Sequence, residues 1–162
     1  MTREHVVLPT DGIPINRSMV QKIRRGDLPG GCLGIIEGLI APGQLIAPHV
    51  HADVDEVSYV LAGEITAEIG GEVVVAPAGS YLLKPYGVMH AFWNSGSEPA
   101  RVMEMHLPGG FEEFYREMTT VASDSDLDPD TRAGRIQALN DAYRVKQHPE
   151  LVEDLKRRHR LP

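Results

Sequence analysis

Gly43-Gln44-Leu45-Ile46-Ala47-Pro48-His49-Val50-His51-Ala52-Asp53-Val54-Asp55-Glu56-Val57-Ser58-Tyr59-Val60-Leu61-Ala62-Gly63 is the stretch on which the fold of this chain turns. Its fixed positions are Gly43-(x)5-His49-x-His51-(x)4-Glu56-(x)6-Gly63. Successive side chains on a strand point to opposite faces, so residues two apart share a face. His49 and His51 therefore aim at one point if Ala47–His51 is extended. Glu56 cannot lie on the same straight strand and meet them. The polar run Ala52–Asp55 reads as a turn, and Glu56 opens a returning strand, Glu56–Leu61, that brings its carboxylate beside the two rings. A second stretch, Gly79-(x)5-Pro85-x-Gly87-(x)2-His90-(x)3-Asn94, supplies a third imidazole from a separate strand, Met89–Trp93. Three imidazoles and a carboxylate suit a divalent transition ion: nitrogen favours Zn, Cu, Fe or Ni, and the oxygen adds tolerance for Mn. On an ion that prefers six ligands, two positions stay open for water, dioxygen or a chelating substrate.

A single strand histidine is commonly a plain surface or core residue, and an HxH pair alone decides little. The punctuation decides more. Gly63, Gly70-Gly71, Gly79 and Gly87 fall where strands must turn, and Pro85-Tyr86-Gly87 is a turn signal just ahead of His90. With these ten motif positions in order, the two segments resemble the two motifs of the cupin superfamily, and the short spacer Glu64–Ala78 is similar to that of microbial single-domain cupins. The resemblance implies an all-β double-stranded β-helix, the jelly-roll or cupin barrel. It also implies one bound ion (Fe, Ni, Mn, Co or Zn) with His49, His51, Glu56 and His90 as ligands, and assembly as a homodimer. Pro108-Gly109-Gly110-Phe111-Glu112-Glu113-Phe114-Tyr115 is similar to the segment after the barrel in quercetin-dioxygenase-like cupins. That likeness implies a flavonol or a similar polyphenolic, enolic or polyketide-like substrate.

The remaining chain divides into three zones of one domain. Residues 1–29 carry a strand candidate at Val6–Leu8 and another near Met19–Arg24. Residues 30–108 are a train of short strands between glycine and proline turns, as in a sandwich or barrel. They are Leu33–Ile40, Leu45–His51, Glu56–Leu61, Glu64–Ile69, Glu72–Ala76, Ser80–Lys84, His90–Trp93 and Arg101–His106. Residues 109–162 turn helical. Phe111, Phe114, Tyr115 and Met118 recur at helical spacing. Asp128 reads as an N-cap with Pro129 in the first turn. Ile136, Leu139 and Tyr143 form a stripe suited to docking on the barrel. Pro149 opens a last helix with Glu153–Arg157 and Asp154–Arg158 as solvated pairs, and its basic end Lys156–Arg160 reads as an exposed face.

At 162 residues the chain can bury a core. A net charge of −7 argues against nucleic acid and offers no polybasic membrane patch. No apolar run is long enough to span a bilayer, and Met1-Thr2-Arg3-Glu4-His5 lacks an apolar signal core. Cys32 is the single cysteine, so no internal disulfide forms, which fits a cytoplasmic protein. Its apolar setting points to structural burial and away from nucleophilic chemistry.

Around the ligands, period-two alternation places Ser58 and Val60 on the face of Glu56, and Phe92 and Asn94 on the face of His90. Ser58 and Phe92 are pocket candidates, the former small enough to leave room for a substrate. On the closing strand Glu104 and His106 share one face, Met103 and Met105 the other. Glu104 joins the pocket candidates if its face is internal, while the methionines read as core. Trp93 reads as a packing or dimer-contact residue. Glu56 is both ligand and candidate proton acceptor. The leading expectation is a metal-dependent dioxygenase-type oxidoreductase. The alternatives are a metal-dependent isomerase, epimerase or lyase, or a small-molecule-binding cupin without turnover. Lys84 and Arg101 are the only Lys and Arg in the barrel zone, which weighs against sugar phosphates.

Overall fold

The computed structural model describes residues 6–28 and 30–162. Met1–His5, where the leader was sought, and Pro29, which closes the first zone, lie outside the described residues. The strands are β1 (Ile13–Pro14), β2 (Met19–Ile23), β3 (Gly34–Ile40), β4 (Leu45–His51), β5 (Asp55–Ala62), β6 (Glu64–Ile69), β7 (Glu72–Pro77), β8 (Tyr81–Lys84), β9 (His90–Trp93), β10 (Ala100–Leu107) and β11 (Val145–Gln147). Three helices follow the barrel: α1 (Phe111–Ser123), α2 (Pro129–Ala142) and α3 (Val152–His159). One sheet runs β1-β2-β3-β10-β5-β8 and the other β11-β4-β9-β6-β7, all pairs antiparallel. This is a double-stranded β-helix.

The two sheets enclose an interior with an apolar half and a polar half. The apolar half holds Ile40, Val60, Ile65, Ala67, Ala76, Leu82, Phe92, Ala100 and Val102. The polar half is capped by α1, whose Phe111 and Phe114 pack with Val54 and Val145. The start of α1 is tied down by Glu112. Its carboxylate accepts hydrogen bonds from the backbone N–H of Arg25 (2.8 Å) and of Gly110 (2.7 Å). Gly34 makes room for this: a Cβ there would lie 2.3 Å from a Glu112 carboxylate oxygen.

Several expectations are corrected. Val6–Leu8 is no strand, because Leu8 turns back on Asp11, with Leu8 N to Asp11 Oδ2 at 2.8 Å and Asp11 N to Leu8 O at 3.0 Å. Cys32 is exposed, since β3 begins only at Gly34 and leaves it in the lead-in segment. Met103 and Met105 are not core: β10 turns Val102, Glu104 and His106 inward and leaves both methionines half-buried on the outer face. Leu139 and Tyr143 of the α2 stripe pack against Phe111 and Phe114 of α1 and against Val145 of β11, the edge strand of the second sheet. In α3, Asp154 pairs with both Arg157 and Arg158, and Glu153 takes no part. The basic end is not merely exposed, because Arg158 reaches the buried Glu68 at 2.7 Å and the His159 ring lies 4.5 Å from that of Trp93, tilted by 39°. Trp93 itself is buried packing, against Leu155. The Asp128 cap stands, its side chain accepting from Thr131 N at 2.9 Å.

Candidate metal centre

The site is written in the strand register. His49 and His90 are direct partners across β4 and β9, and His51 follows two residues after His49 on the same face. The facing sheet contributes two inward rows. Lys84, Glu56 and His106 align across β8, β5 and β10, and Leu82, Ser58 and Glu104 align beside them. The four expected ligand residues are all buried, and their ligand atoms lie within 4.8 Å of one another. Metal–ligand bonds of about 2.0–2.2 Å imply donor separations of roughly 3–4.4 Å, so shifts of a few tenths of an ångström would complete a shell.

The hydrogen bonds set the ring orientations. His49 Nδ1 donates to the Ala47 carbonyl at 2.7 Å, and His90 Nδ1 to the Val88 carbonyl at 3.1 Å. Each ring is thereby committed to the tautomer whose Nε2 carries a lone pair, the arrangement that orients metal-binding imidazoles. Glu56 Oε2 lies 3.2 Å from His90 Nε2 and 3.0 Å from His51 Nε2. In neutral His90 the Nε2 lone pair thus faces a carboxylate oxygen, acceptor against acceptor. Either a proton on Nε2 or a bound cation relieves that opposition, and one metal ion would satisfy all four donors together. Burial, aided by the neighbouring His90 and His51, pushes His49 down to about 3, so its ring is neutral and able to ligate at physiological pH.

Behind Glu56 stands a buried ionic chain that was not foreseen. Lys84 Nζ donates to Glu56 Oε1 at 2.7 Å and to Glu104 Oε2 at 2.9 Å, and sits 4.4 Å over the ring of Phe92. The Ser58 hydroxyl lies 2.9 Å from each Glu104 oxygen. Burial pushes the Glu56 carboxyl up, but Lys84 and the hydrogen bonds from His51 and His90 outweigh it and hold it well below the usual carboxylate range. Burial raises Glu104 to about 7 even though Lys84 pulls the other way. His106 has both ring nitrogens buried without a hydrogen-bond partner among the described residues, and burial lowers it to about 4.

Two cavities adjoin this cluster. The outer, of about 220 Å³, is lined by His49, His51, Ile46, Phe111, Phe114 and Tyr115 among others. The inner, of about 70 Å³, is lined by Ile36, Ile46, Phe92, Val102, Glu104 and Tyr115 among others. Ile46 and Tyr115 border both. Of the pocket candidates, Phe92 and Glu104 face the inner cavity, while Ser58 is buried beneath Glu104 and lines neither. Lys84 and Tyr115 were missed. Alternation offered a signal for Lys84, since an inward Leu82 carries Lys84 inward with it. Tyr115 comes from outside the barrel, where strand alternation is silent.

Residues 37–106 match the family model of the cupin domain. Over these residues the barrel is similar to a cupin domain. A stretch of 77 residues, 48% of this chain and 48% of the relative, is 34% identical to the polyketide synthase CurC of Streptomyces cyaneus. The chain thus spans about half the length of the curated relative it matches. Among solved structures, a predicted oxalate decarboxylase from Thermotoga maritima superposes with a TM-score of 0.53 at 20% identity, covering 56% of this chain and 78% of that one. KdgF from a Halomonas species gives a TM-score of 0.52 at 20% identity, covering 64% and 92%. These two likenesses show the fold. The barrel carries a buried three-histidine, one-glutamate cluster, and among the described residues no helix is long and apolar enough to cross a membrane.

Proposed function

We propose that this cupin is a metal-dependent oxidoreductase of the dioxygenase type acting on a small polyphenolic, enolic or polyketide-like molecule. The observation that carries it is the convergence of His49, His51, His90 and Glu56, their ligand atoms within 4.8 Å of one another, beside a cavity walled by Phe111, Phe114 and Tyr115. Apolar and aromatic walls with a few polar groups are what a ring-bearing ligand requires. The likeness to the polyketide synthase CurC supports the same substrate class. Lys84 gives no opening to a phosphate, because two carboxylates already neutralise it in the interior.

A bound ion would supply Lewis-acid polarisation of a chelating oxygen pair and, where redox-active, electron exchange with dioxygen. The protein residues do the rest. Phe111 and Phe114 exclude water from the mouth. Glu56 has one oxygen on Lys84 and its carboxyl held low, so it serves as ligand more readily than as base. Glu104 is the better proton acceptor, since it faces the inner cavity and is poised near neutrality. That same placement favours a second reading, a non-oxidative isomerase or lyase in which Glu104 shuttles the proton.

The test is oxygen-electrode recording and product analysis with iron- and nickel-loaded protein against flavonols, catechols and aromatic polyketides. Oxygen uptake matching substrate loss, and abolished in His49→Ala, is expected. Conversion that proceeds unchanged without oxygen would replace the first reading by the second. No conversion of any substrate would leave a binding protein.

A further inference from the structure

We propose that Lys84 is a positioning residue for the metal centre, a clamp that occupies one oxygen of Glu56 so that the carboxylate meets the ion through the other oxygen alone. The inference rests on the metal-centre reading above. Its basis is the division of labour within Glu56: Oε1 takes the Lys84 ammonium at 2.7 Å, while Oε2 faces His51 at 3.0 Å and His90 at 3.2 Å.

The clamp is itself fixed from three sides. Cross-strand pairing of Glu56 with Lys84 sets the backbone distance. Glu104 holds the second side of the ammonium at 2.9 Å, with Ser58 holding Glu104, and the Phe92 ring lies beneath. Stability does not account for such an arrangement. A buried lysine between two carboxylates pays desolvation on every charge, and well-packed apolar residues often do as well or better. The regular alternation of β8 carries Lys84 inward beside Leu82 and leaves Tyr81 and Leu83 63% and 65% exposed. A carboxylate free to turn could offer both oxygens and fill a further coordination position. Held to one, it leaves that position to a substrate.

Two measurements decide the matter. In a crystal structure of the metal-loaded wild-type protein, one Glu56 oxygen is expected within about 2.0–2.2 Å of the ion, with the other still on Lys84. Both oxygens on the ion would overturn the clamp and leave the metal centre standing. An ion bound away from the four side chains would overturn both. Titration with zinc or cobalt, using a competing chelator, then compares wild type with Lys84→Met. Loss of a partner that orients a ligand raises the metal dissociation constant by roughly 10–100-fold. If Lys84 were only a counter-charge, its removal would relieve repulsion of the cation and tighten binding, so an unchanged or tighter constant refutes positioning. Should Lys84→Met fail to fold, the wild-type structure still decides.

Discussion

Acidification of the metal-free protein tests the buried titrating cluster in a way that can be worked through in advance. His49 and His106 sit at about 3 and about 4 when folded, against 6.5 when unfolded. Between pH 6.5 and 4.5 the unfolded chain therefore binds from about one to nearly two protons that the folded one refuses, and stability falls as the pH falls. Glu104 has the opposite sign. Its folded value of about 7 lies above the unfolded 4.5, so the folded state holds a proton that the unfolded state releases, and this contribution is lost as pH rises toward 7. Glu56 is held well below 4.5 and does not titrate in this window. The net difference averages a little under one proton, which corresponds to a slope of about 1.2 kcal/mol per pH unit, or roughly 2 kcal/mol over the interval. Replacing Glu104 by Gln removes the opposing proton, and the loss should grow to roughly 4 kcal/mol. Urea unfolding of chelator-treated protein at half-unit steps in pH reads both slopes. A flat profile, or an equal slope in the variant, would show that these three groups are not buried as described.

His49→Ala should bring bound metal from one ion per chain to near none while circular dichroism stays that of a β-barrel. The gain in stability from metal, about 2.7 kcal/mol at a hundredfold excess over the dissociation constant, should vanish with it. Leu155 is buried where α3 meets Ala91 and Trp93. Leu155→Ala should cost about 2–5 kcal/mol in urea unfolding, and a loss under 1 kcal/mol would mean that α3 is not docked there. Gly34→Ala drives a methyl group into the Glu112 carboxylate, so hydrogen exchange at the start of α1 should accelerate before exchange in β5 or β10 does. Equal protection in variant and wild type would refute the anchoring role of Glu112.

The barrel was legible in the sequence because a half-buried strand repeats every two residues and each turn needs glycine or proline. Eight strands from β3 to β10 follow those signals to within a residue or two. The clustering of His49, His51 and Glu56 was legible for the same reason: spacing along β4 and the turn into β5 leave little freedom once one face must point inward. β11 was missed because Val145–Gln147 is a strand only by virtue of lying against β4, where Val145 pairs with His51. The methionines and Lys84 failed for a shared reason. Hydrophobicity ranks a residue by its average environment, and this barrel inverts the average beside its site. The charged and polar face of β10, Glu104 and His106, goes in, and the apolar face, Met103 and Met105, goes out. On β8 the lysine goes in and Tyr81 and Leu83 go out. Such an inversion needs a partner already inside, since an inward Lys84 is tolerable only if Glu56 and Glu104 are there to receive it. The register that delivers Glu56 to the three histidines is the register that places Lys84, Ser58, Glu104 and His106 around it. A slip of one residue in β5 would send Glu56 outward and bury Val57 and Tyr59 in its place, so the pairing that builds the metal cluster also fixes what holds it.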